Sequence, residues 1–287
     1  FSRRFPNTPV FHLCFPVRYM DEETVQMGAE DIKACIKFIE QKTGAKWNWD
    51  AYFTQIKRFN KETEYELQKW EVNKSAYPQL LGPCYELFRK YNYEMDGGLD
   101  PRVMTTCEKV NKLLTKAYSS DSLAWPKDKM KYRAIIWSCP PHFYANFSNW
   151  LANCWGIDVL VEMESLNFTK PLETEDKEEA LRDLARLYER MVMRRHTNGG
   201  YQNVVDELWR QCEAWNANFV IMYQHVACKN MATVQGILDE QGRELGLHMI
   251  WVEHDLMDPR TVSRSSMRAK VNEYMRTVIG ATPVDAS

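Results

Sequence analysis

The alternation of short apolar runs with helical stretches from Lys131 onward constrains the fold more than any other sequence feature. Four runs have the length of buried strands: Tyr132–Trp137, Ile157–Glu162, Asn218–Tyr223 and His248–Val252. Helical periodicity lies between and after them, at about 143–155, 174–194, 201–214, 229–245 and 263–277. Continuous apolar strands connected by helices are typical of a parallel sheet covered on both faces. The sequence therefore predicts a parallel α/β domain.

The region before this alternation is predicted to be mainly helical. Apolar residues recur at mostly helical spacing from Glu22 to Gln41, and a second helix is expected from Trp49 to Val72. Asp100 and Pro101 have the pattern of an N-cap and a first helical residue, in a helix that reaches Ala117. The segment 119–126 is rich in Ser and contains Pro, as domain boundaries often are. We expect a helical region over residues 1–125 and an α/β domain over residues 126–287.

The composition argues against two broad classes of function. A formal net charge of −2 gives no general basic field, which disfavours non-specific nucleic-acid binding. No stretch approaches the roughly 20 apolar residues that cross a bilayer. We therefore expect a protein that acts on neither nucleic acid nor membrane.

The cysteines and the missing motifs argue against further classes of protein. The 8 cysteines are scattered over a long, core-rich chain, which favours reduced thiols of a cytoplasmic protein over disulfides. The chain has no G-x-x-x-x-G-K-S/T phosphate loop, no G-x-G-x-x-G fingerprint and no C-x-x-C pair. ATP hydrolysis and nicotinamide binding within this chain are therefore disfavoured.

Four loops are candidates for a ligand site. Ligands of open parallel sheets bind outside the carboxyl ends of the strands. The loops at those ends are Ser138–His142, Met163–Phe168, Gln224–Lys229 and Glu253–Arg260.

The loop that contains Cys228 is the most informative of the four. Cys228 falls just after a predicted strand and just before a predicted helix of about 16 residues. Helix-terminal N–H groups, Lys229 and His225 would each favour the thiolate, as a nucleophile or a ligand of an anionic metal–sulfur cluster requires. The alternative is a buried structural cysteine at the end of a strand.

The loop after the first strand contains Cys139, Pro140, Pro141 and His142. The two prolines fix φ and would hold His142 in a definite direction, or they would simply end the strand in a rigid turn. Core packing is the preferred interpretation for the cysteines on helical apolar faces. These are Cys35, Cys84, Cys107, Cys154 and Cys212.

The last seventy residues carry a family resemblance. A strand runs into a single cysteine, a helix follows, and the next strand ends in Asp-x-x-Asp-Pro-Arg before a helix that starts with Ser. This order resembles the C-terminal end of the benzoyl-CoA reductase / 2-hydroxyacyl-CoA dehydratase subunit family. The residues that fit are Cys228, Asp255, Asp258, Pro259, Arg260 and Ser263.

The resemblance extends upstream in weaker form. Lys131–Arg133, entering an apolar strand that leads to Pro140 and Pro141, resembles the large iron–sulfur (B-type) subunit of ATP-dependent benzoyl-CoA reductases. The segment Lys42–Lys46, between two helices, resembles the family's middle region. The resemblance thus covers nearly the whole chain and implies a helical part followed by a flavodoxin-like α/β domain.

The resemblance also implies a cofactor. In this family three cysteines bind a 4Fe–4S cluster, two from an N-terminal domain and one from the C-terminal domain. Cys228 matches the last of these, as a metal ligand. The N-terminal domain has no counterpart here, so we expect the chain to be a fragment; the alternative is that two ligands have been lost.

The implied reaction starts with an ATP-hydrolysing activator, which delivers electrons at very low potential to the cluster. One electron then passes to an acyl-CoA or aryl-CoA thioester. In benzoyl-CoA reductases the ring is reduced to a cyclic dienoyl-CoA, and in 2-hydroxyacyl-CoA dehydratases a hydroxyl group leaves to give an enoyl-CoA. His225 and His142 are candidate catalytic proton donors by position.

The implied assembly is a heterodimer with a related second iron–sulfur subunit. Reductase is the preferred function, because the aromatic content (10 Trp, 14 Tyr, 12 Phe) suits an aryl pocket. The dehydratase is the first alternative, and a non-catalytic partner subunit without a complete cluster site is the second. An electron-transfer protein with an unusual cluster and an unrelated α/β protein also remain.

Overall fold

The computed structural model describes residues 4, 6–16, 21–76, 78–79, 101–120, 129–141, 143–144, 146–163 and 169–284. The chain forms two compact units. One consists of Phe1–Glu64 and Asn167–Asn203, and we call it the helical unit. The other, the sheet unit, consists of Tyr65–Leu166 and Val204–Ser287. A domain boundary at residue 125 stays a prediction.

The helical unit is built around two helices that are far apart in sequence. Helix α1 (Glu22–Thr43) packs against α5 (Lys177–Arg190). Asp21 begins α1 by accepting a hydrogen bond from the Thr24 N–H, and Asp176 begins α5 in the same way. The backbones approach closely at Gly28, where an added Cβ would lie 3.0 Å from the Cβ of Ala185. Glycine at this position therefore sets the distance between the two helices.

Two further helices have most of their residues in this unit. Helix α2 (Trp49–Lys74) starts with Asn48, whose side chain accepts a hydrogen bond from the Ala51 N–H at 3.0 Å. Helix α6 (Val192–Asn198) follows α5 after one residue. The sequence predicted a single helix over 174–194, but Met191 has φ −58° and ψ 138°, so the helix is interrupted there. Methionine is a good helix former, and no residue type at this point marks the interruption.

The sheet unit contains a four-stranded parallel sheet with the order β2-β1-β3-β4. The strands are β1 (Tyr132–Trp137), β2 (Ile157–Glu162), β3 (Phe219–His225) and β4 (His248–His254). This matches the first four strands of the flavodoxin-like order. The helices of this unit, besides the end of α2, are α3 (Pro101–Ser119), α4 (Phe147–Trp155), α7 (Tyr201–Ala214), α8 (Lys229–Glu244) and α9 (Arg264–Thr277). The predicted α/β class is confirmed, with helices before a parallel sheet.

The core of the sheet unit is a continuous apolar layer. On one face, Ile136 and Ile221 pack with Phe147 and Leu151 of α4 and with Val271 of α9. All five side chains are at most 1 % exposed. Such burial stabilises each side chain by about 1.5–3 kcal/mol relative to exposure. The sheet is thus a rigid base for the loops at its ends. None of the helices in the described part of the chain is long and apolar enough to cross a membrane.

Arg133 connects the start of β1 to the ends of two helices. Its guanidinium donates to the main-chain oxygens of Asn73, Lys74 and Ser75, at the end of α2, over 3.0–3.2 Å. It also donates to the oxygens of Trp215 and Asn216, just beyond α7, at 3.0 Å each. Terminal helix carbonyls lack intrahelical partners and carry partial negative charge, which a cation satisfies.

Candidate functional site

The strand order places a crevice between the carboxyl ends of β1 and β3. The chain leaves β1 towards β2 on one side and leaves β3 towards β4 on the other. Open parallel sheets bind ligands at such a point. Of the four predicted loops, the two that follow β1 and β3 begin on either side of this point. His142, in the loop after β1, lies outside the described residues, and so do residues 164–168 of the predicted loop after β2.

The loop after β1 lies on one side of this switch point. Ser138 ends the strand with φ +73°, in the left-handed region that non-glycine residues rarely adopt. Cys139 follows and is half-buried, while Pro140 and Pro141 are buried. The Tyr144 N–H donates to the Pro141 oxygen at 3.1 Å. Residues with such backbone angles persist only where surrounding structure holds them, so this loop is rigid.

Cys228 lies on the other side of the switch point, in the loop after β3. It lies between the end of β3 at His225 and the start of α8 at Lys229, as the sequence predicted. Its N–H donates to the His225 oxygen at 2.8 Å, and its oxygen accepts from the Ala232 N–H at 3.3 Å. The residue is the N-cap of α8, but its side chain makes no capping hydrogen bond. The backbone is therefore fixed by the turn while the partly exposed thiol is left for another role.

His225 has one ring nitrogen fixed by the same turn. Its Nδ1 accepts a hydrogen bond from the Ala227 N–H at 3.1 Å, so in the neutral ring the proton is on Nε2. Nε2 lies 3.8 Å from Oδ2 of Asp255. The ring of His254, which is fully buried, is 5.8 Å away at 83°. His225 and the Asp255 carboxylate are therefore neighbours at the carboxyl edge of the sheet.

Asp255 is held in its ionised form. Its Oδ1 accepts hydrogen bonds from the N–H groups of Asp258 and Met257, at 2.8 and 2.9 Å. These two bonds, with His225 nearby, lower the pKa of Asp255 below its usual value. A carboxylate that accepts such bonds is a stable anion opposite His225.

Asp258 and Arg260 bind each other within one turn. The carboxylate accepts a bidentate pair of bonds from Nε and Nη2 of Arg260, with distances of 2.9 and 2.6 Å. Arg260 lowers the pKa of Asp258 to about 2. The chain then enters α9 at Ser263, whose side chain accepts from the Ser266 N–H. These contacts are local, and they stabilise the turn from β4 to α9.

Tyr144 joins the loop after β1 to the first turns of α9. The guanidinium of Arg264 lies 5.2 Å from its ring centre, and that of Arg268 lies 5.7 Å from it. Arg268 also donates to the Tyr144 hydroxyl, and Arg264 donates to the Phe143 oxygen at 2.6 Å. These contacts fix the loop against α9. The sequence analysis missed them, although an aromatic residue just after the Pro-Pro pair and two arginines spaced i, i+4 were visible.

The other described cysteines lie away from the crevice or in the core. Cys107, Cys154 and Cys212 are buried, as expected for core packing. Burial raises the pKa of Cys212 to about 12, which keeps it a thiol. Cys35 is half-buried in the helical unit, and Cys84 lies outside the described residues.

The structure also tests whether a metal cluster fits. Within the ranges described above, no three His, Cys, Asp or Glu side chains come together as a metal site. Of the cysteines that the structure describes, only Cys228 is partly exposed and lies both after a strand end and at the start of a helix, as a cluster ligand would. These residues therefore fit one corner of a cluster and not a complete site.

Comparison with known proteins gives one clear result. The family model described as "2-hydroxyglutaryl-CoA dehydratase, D-component" matches residues 1–279. No curated protein matches the chain.

Proposed function

Because the chain belongs to the 2-hydroxyglutaryl-CoA dehydratase D-component family, we propose that it is an iron–sulfur subunit of a benzoyl-CoA-reductase-type enzyme. The family comprises dehydratase and reductase subunits. The proposed reaction is the low-potential, one-electron reduction of an aryl-CoA thioester. The observation that carries the proposal is the position of Cys228 at the switch point of the sheet.

Cys228 is the proposed ligand of a 4Fe–4S cluster, which family members typically carry. Its thiol is not used in the cap of α8, and its backbone is fixed by bonds to His225 and Ala232. A bound cluster would supply single electrons at low potential to the thioester. The remaining ligands would come from residues outside the described ranges or from another chain.

His225 is the proposed proton donor. Reduction of an aryl ring to a diene takes up two electrons and two protons, so a donor must stand near the ring. Nε2 of His225 carries the proton in the neutral ring and lies 3.8 Å from Oδ2 of Asp255. His142 stays a second prediction for this role.

A related second subunit and an ATP-hydrolysing activator are the proposed partners. Two large apolar side chains are exposed at the carboxyl edge of the sheet, Val226 at 49 % and Met257 at 71 %. Exposed apolar side chains next to a functional site favour a surface that a partner covers. A partner at this edge would also exclude water from a low-potential cluster.

Two other functions of this site stay open as alternatives. A 2-hydroxyacyl-CoA dehydratase would use the same Cys228 and the same strand ends, with loss of a hydroxyl group to give an enoyl-CoA. A non-catalytic partner subunit is favoured by one specific observation: the described residues do not form a complete metal site.

The test measures iron and acid-labile sulfide per chain in the protein that is purified anaerobically together with its partner subunit. The wild type is compared with Cys228→Ala and with Cys35→Ala, which removes another half-buried thiol in the helical unit. We expect iron to fall in Cys228→Ala and to stay unchanged in the control. Equal iron in all three proteins, or none in the wild type, contradicts the assignment.

Product analysis separates the two enzyme functions. The complex is supplied with activator, ATP and reductant, and then with benzoyl-CoA or with a 2-hydroxyacyl-CoA. Formation of a cyclic dienoyl-CoA supports the reductase, while formation of an enoyl-CoA supports the dehydratase. If an iron-containing complex converts neither substrate, both enzyme functions are excluded.

A further inference from the structure

A second cleft opens in the helical unit, at the start of α2. Its volume is about 770 Å³, within the range of small-molecule sites. The residues that carry the argument are Lys46, Trp47, Trp49, Phe53, Lys57 and Lys177. The proposed iron–sulfur chemistry uses none of them.

One wall of the cleft is aromatic. The Trp49 and Phe53 rings are stacked with their centres 5.7 Å apart, and the Trp47 ring meets Trp49 edge-on at 5.9 Å. Trp47 is also fixed through its backbone, whose N–H donates to the Glu40 carboxylate at 3.0 Å. Even so, 39 % of Trp47 remains exposed. A large aromatic side chain that is held in place yet exposed presents a flat apolar face to a ligand.

The rim of the cleft is basic. Lys46, Lys57 and Lys177 line it, against two acidic residues, Asp50 and Glu175. The Lys177 ammonium lies 5.9 Å from the centre of the Trp49 ring. Among the residues that the structure describes, none of these lysines forms an ion pair with a carboxylate. Three unpaired ammonium groups beside a flat aromatic face suit a ligand that is planar at one end and anionic at the other.

We propose that this cleft binds a nucleotide, with the base on Trp47 and the phosphates on Lys57 and Lys177. Stacking of a base on an aromatic side chain is favourable for any base, and lysine is a common phosphate ligand. An aromatic cleft can instead hold a quaternary ammonium ion, but three lysines on the rim repel a cation. Free nucleotide and the nucleotide end of coenzyme A share this chemistry.

Isothermal titration calorimetry of the whole chain with ADP tests the proposal, and it needs no iron. We expect saturable binding that weakens about tenfold or more in Trp47→Ala, as loss of a stacked base would give. The double variant Lys57→Ala, Lys177→Ala should bind ADP more weakly, and its binding should depend less on salt concentration. Tyr118→Ala and Lys109→Ala, on the exposed surface of α3, are the matched controls and should bind like the wild type.

The source of the nucleotide is decided by titrating coenzyme A in parallel. Binding of coenzyme A at least tenfold tighter than ADP, with the same loss in Trp47→Ala, identifies coenzyme A as the ligand. Equal or tighter binding of ADP identifies a free nucleotide. The proposal is overturned if neither binds, if Trp47→Ala binds both like the wild type, or if choline competes with ADP. Circular dichroism of each variant checks that it is folded.

Discussion

Arg133 on β1 and Asp158 on β2 are register partners on neighbouring parallel strands, yet the arginine is bonded to the main chain. Its guanidinium makes five bonds to main-chain oxygens at the ends of α2 and α7. Asp158 is 1 % exposed, and neither of its carboxylate oxygens accepts a hydrogen bond from the residues that the structure describes. A buried carboxyl in this state favours its neutral form.

Asp158 therefore makes stability depend on pH. Burial raises the pKa of Asp158 from 3.8 to about 7, against a smaller opposing effect of Arg133. The folded state binds the proton more tightly than the unfolded chain, so this contribution is fully present below about pH 4 and is lost as pH rises through 7. Between these pH values, the slope of the free energy of unfolding against pH that Asp158 causes reaches about 1.4 kcal/mol per pH unit. Asp158→Asn should remove this slope.

Urea unfolding of wild type and Asp158→Asn at several pH values between 4 and 8 measures the difference in free energy of unfolding. The difference should grow in favour of the variant as pH rises. Parallel curves for the two proteins would show that Asp158 titrates at its ordinary pKa.

Substitution of Arg133 should loosen the ends of α2 and α7. Arg133→Lys keeps the charge beside Asp158 but cannot span five oxygens, because its ammonium is a compact group on a flexible stem. We expect the free energy of unfolding to fall by about 1–3 kcal/mol. Amide hydrogen exchange near residues 73–75 and 215–216 should rise together. Faster exchange at only one of the two helix ends would show that Arg133 does not couple them.

Cys228→Ser separates the chemical role of Cys228 from a structural one. Serine is a preferred N-cap residue, and the wild-type thiol makes no capping bond, so thermal stability should stay unchanged or rise by up to about 1 kcal/mol. Iron content should fall nonetheless, since a hydroxyl is a poor ligand for iron in a cluster. A marked loss of stability in the iron-free variant would point to a packing role for the thiol.

Gly28 and Gly236 should respond in opposite ways to an added side chain. At Gly28 a Cβ would lie 2.5 Å from the Phe15 ring and 3.0 Å from Ala185, so Gly28→Val should cost about 1–3 kcal/mol. At Gly236, inside α8, a Cβ would meet no atom within 4 Å, so Gly236→Ala should stabilise by about 0.5–1 kcal/mol. Differential scanning calorimetry gives both values. A neutral Gly28→Val would mean that α1 and α5 are free to separate.

The strands show which parts of the fold follow from local sequence. β1 and β2 have the predicted bounds because each is an apolar run that polar or glycine residues limit, such as Lys131 and Gly156. β3 begins one residue later and ends two residues later than predicted, and β4 ends two residues later than predicted. Their last residues are polar, but the register pairs Gln224 with Glu253 and His225 with His254, and ladder bonds form regardless of side chain.

A residue of the site could be predicted from sequence only where the neighbouring strand and helix along the chain determine its position. Cys228 could be placed because a strand end and a helix start fix it locally. The partners of Arg133 could not be predicted, since they lie more than 55 residues before it and more than 80 after it. The left-handed Ser138 and the buried carboxyl of Asp158 also have no local signal, because serine and a single aspartate in an apolar run are both common.

The pairing of α1 with α5 has a consequence for synthesis on the ribosome. Lys33 and Glu178, which form an ion pair at 2.6 Å across these helices, are separated by 145 residues of chain. At about 5–20 residues per second, α1 waits roughly 7–30 s for its packing partner. During that time its apolar face is open to chaperones and to wrong partners. Slow stretches of translation between residues 43 and 177 would therefore lower the yield of folded protein more than equal pauses after α5.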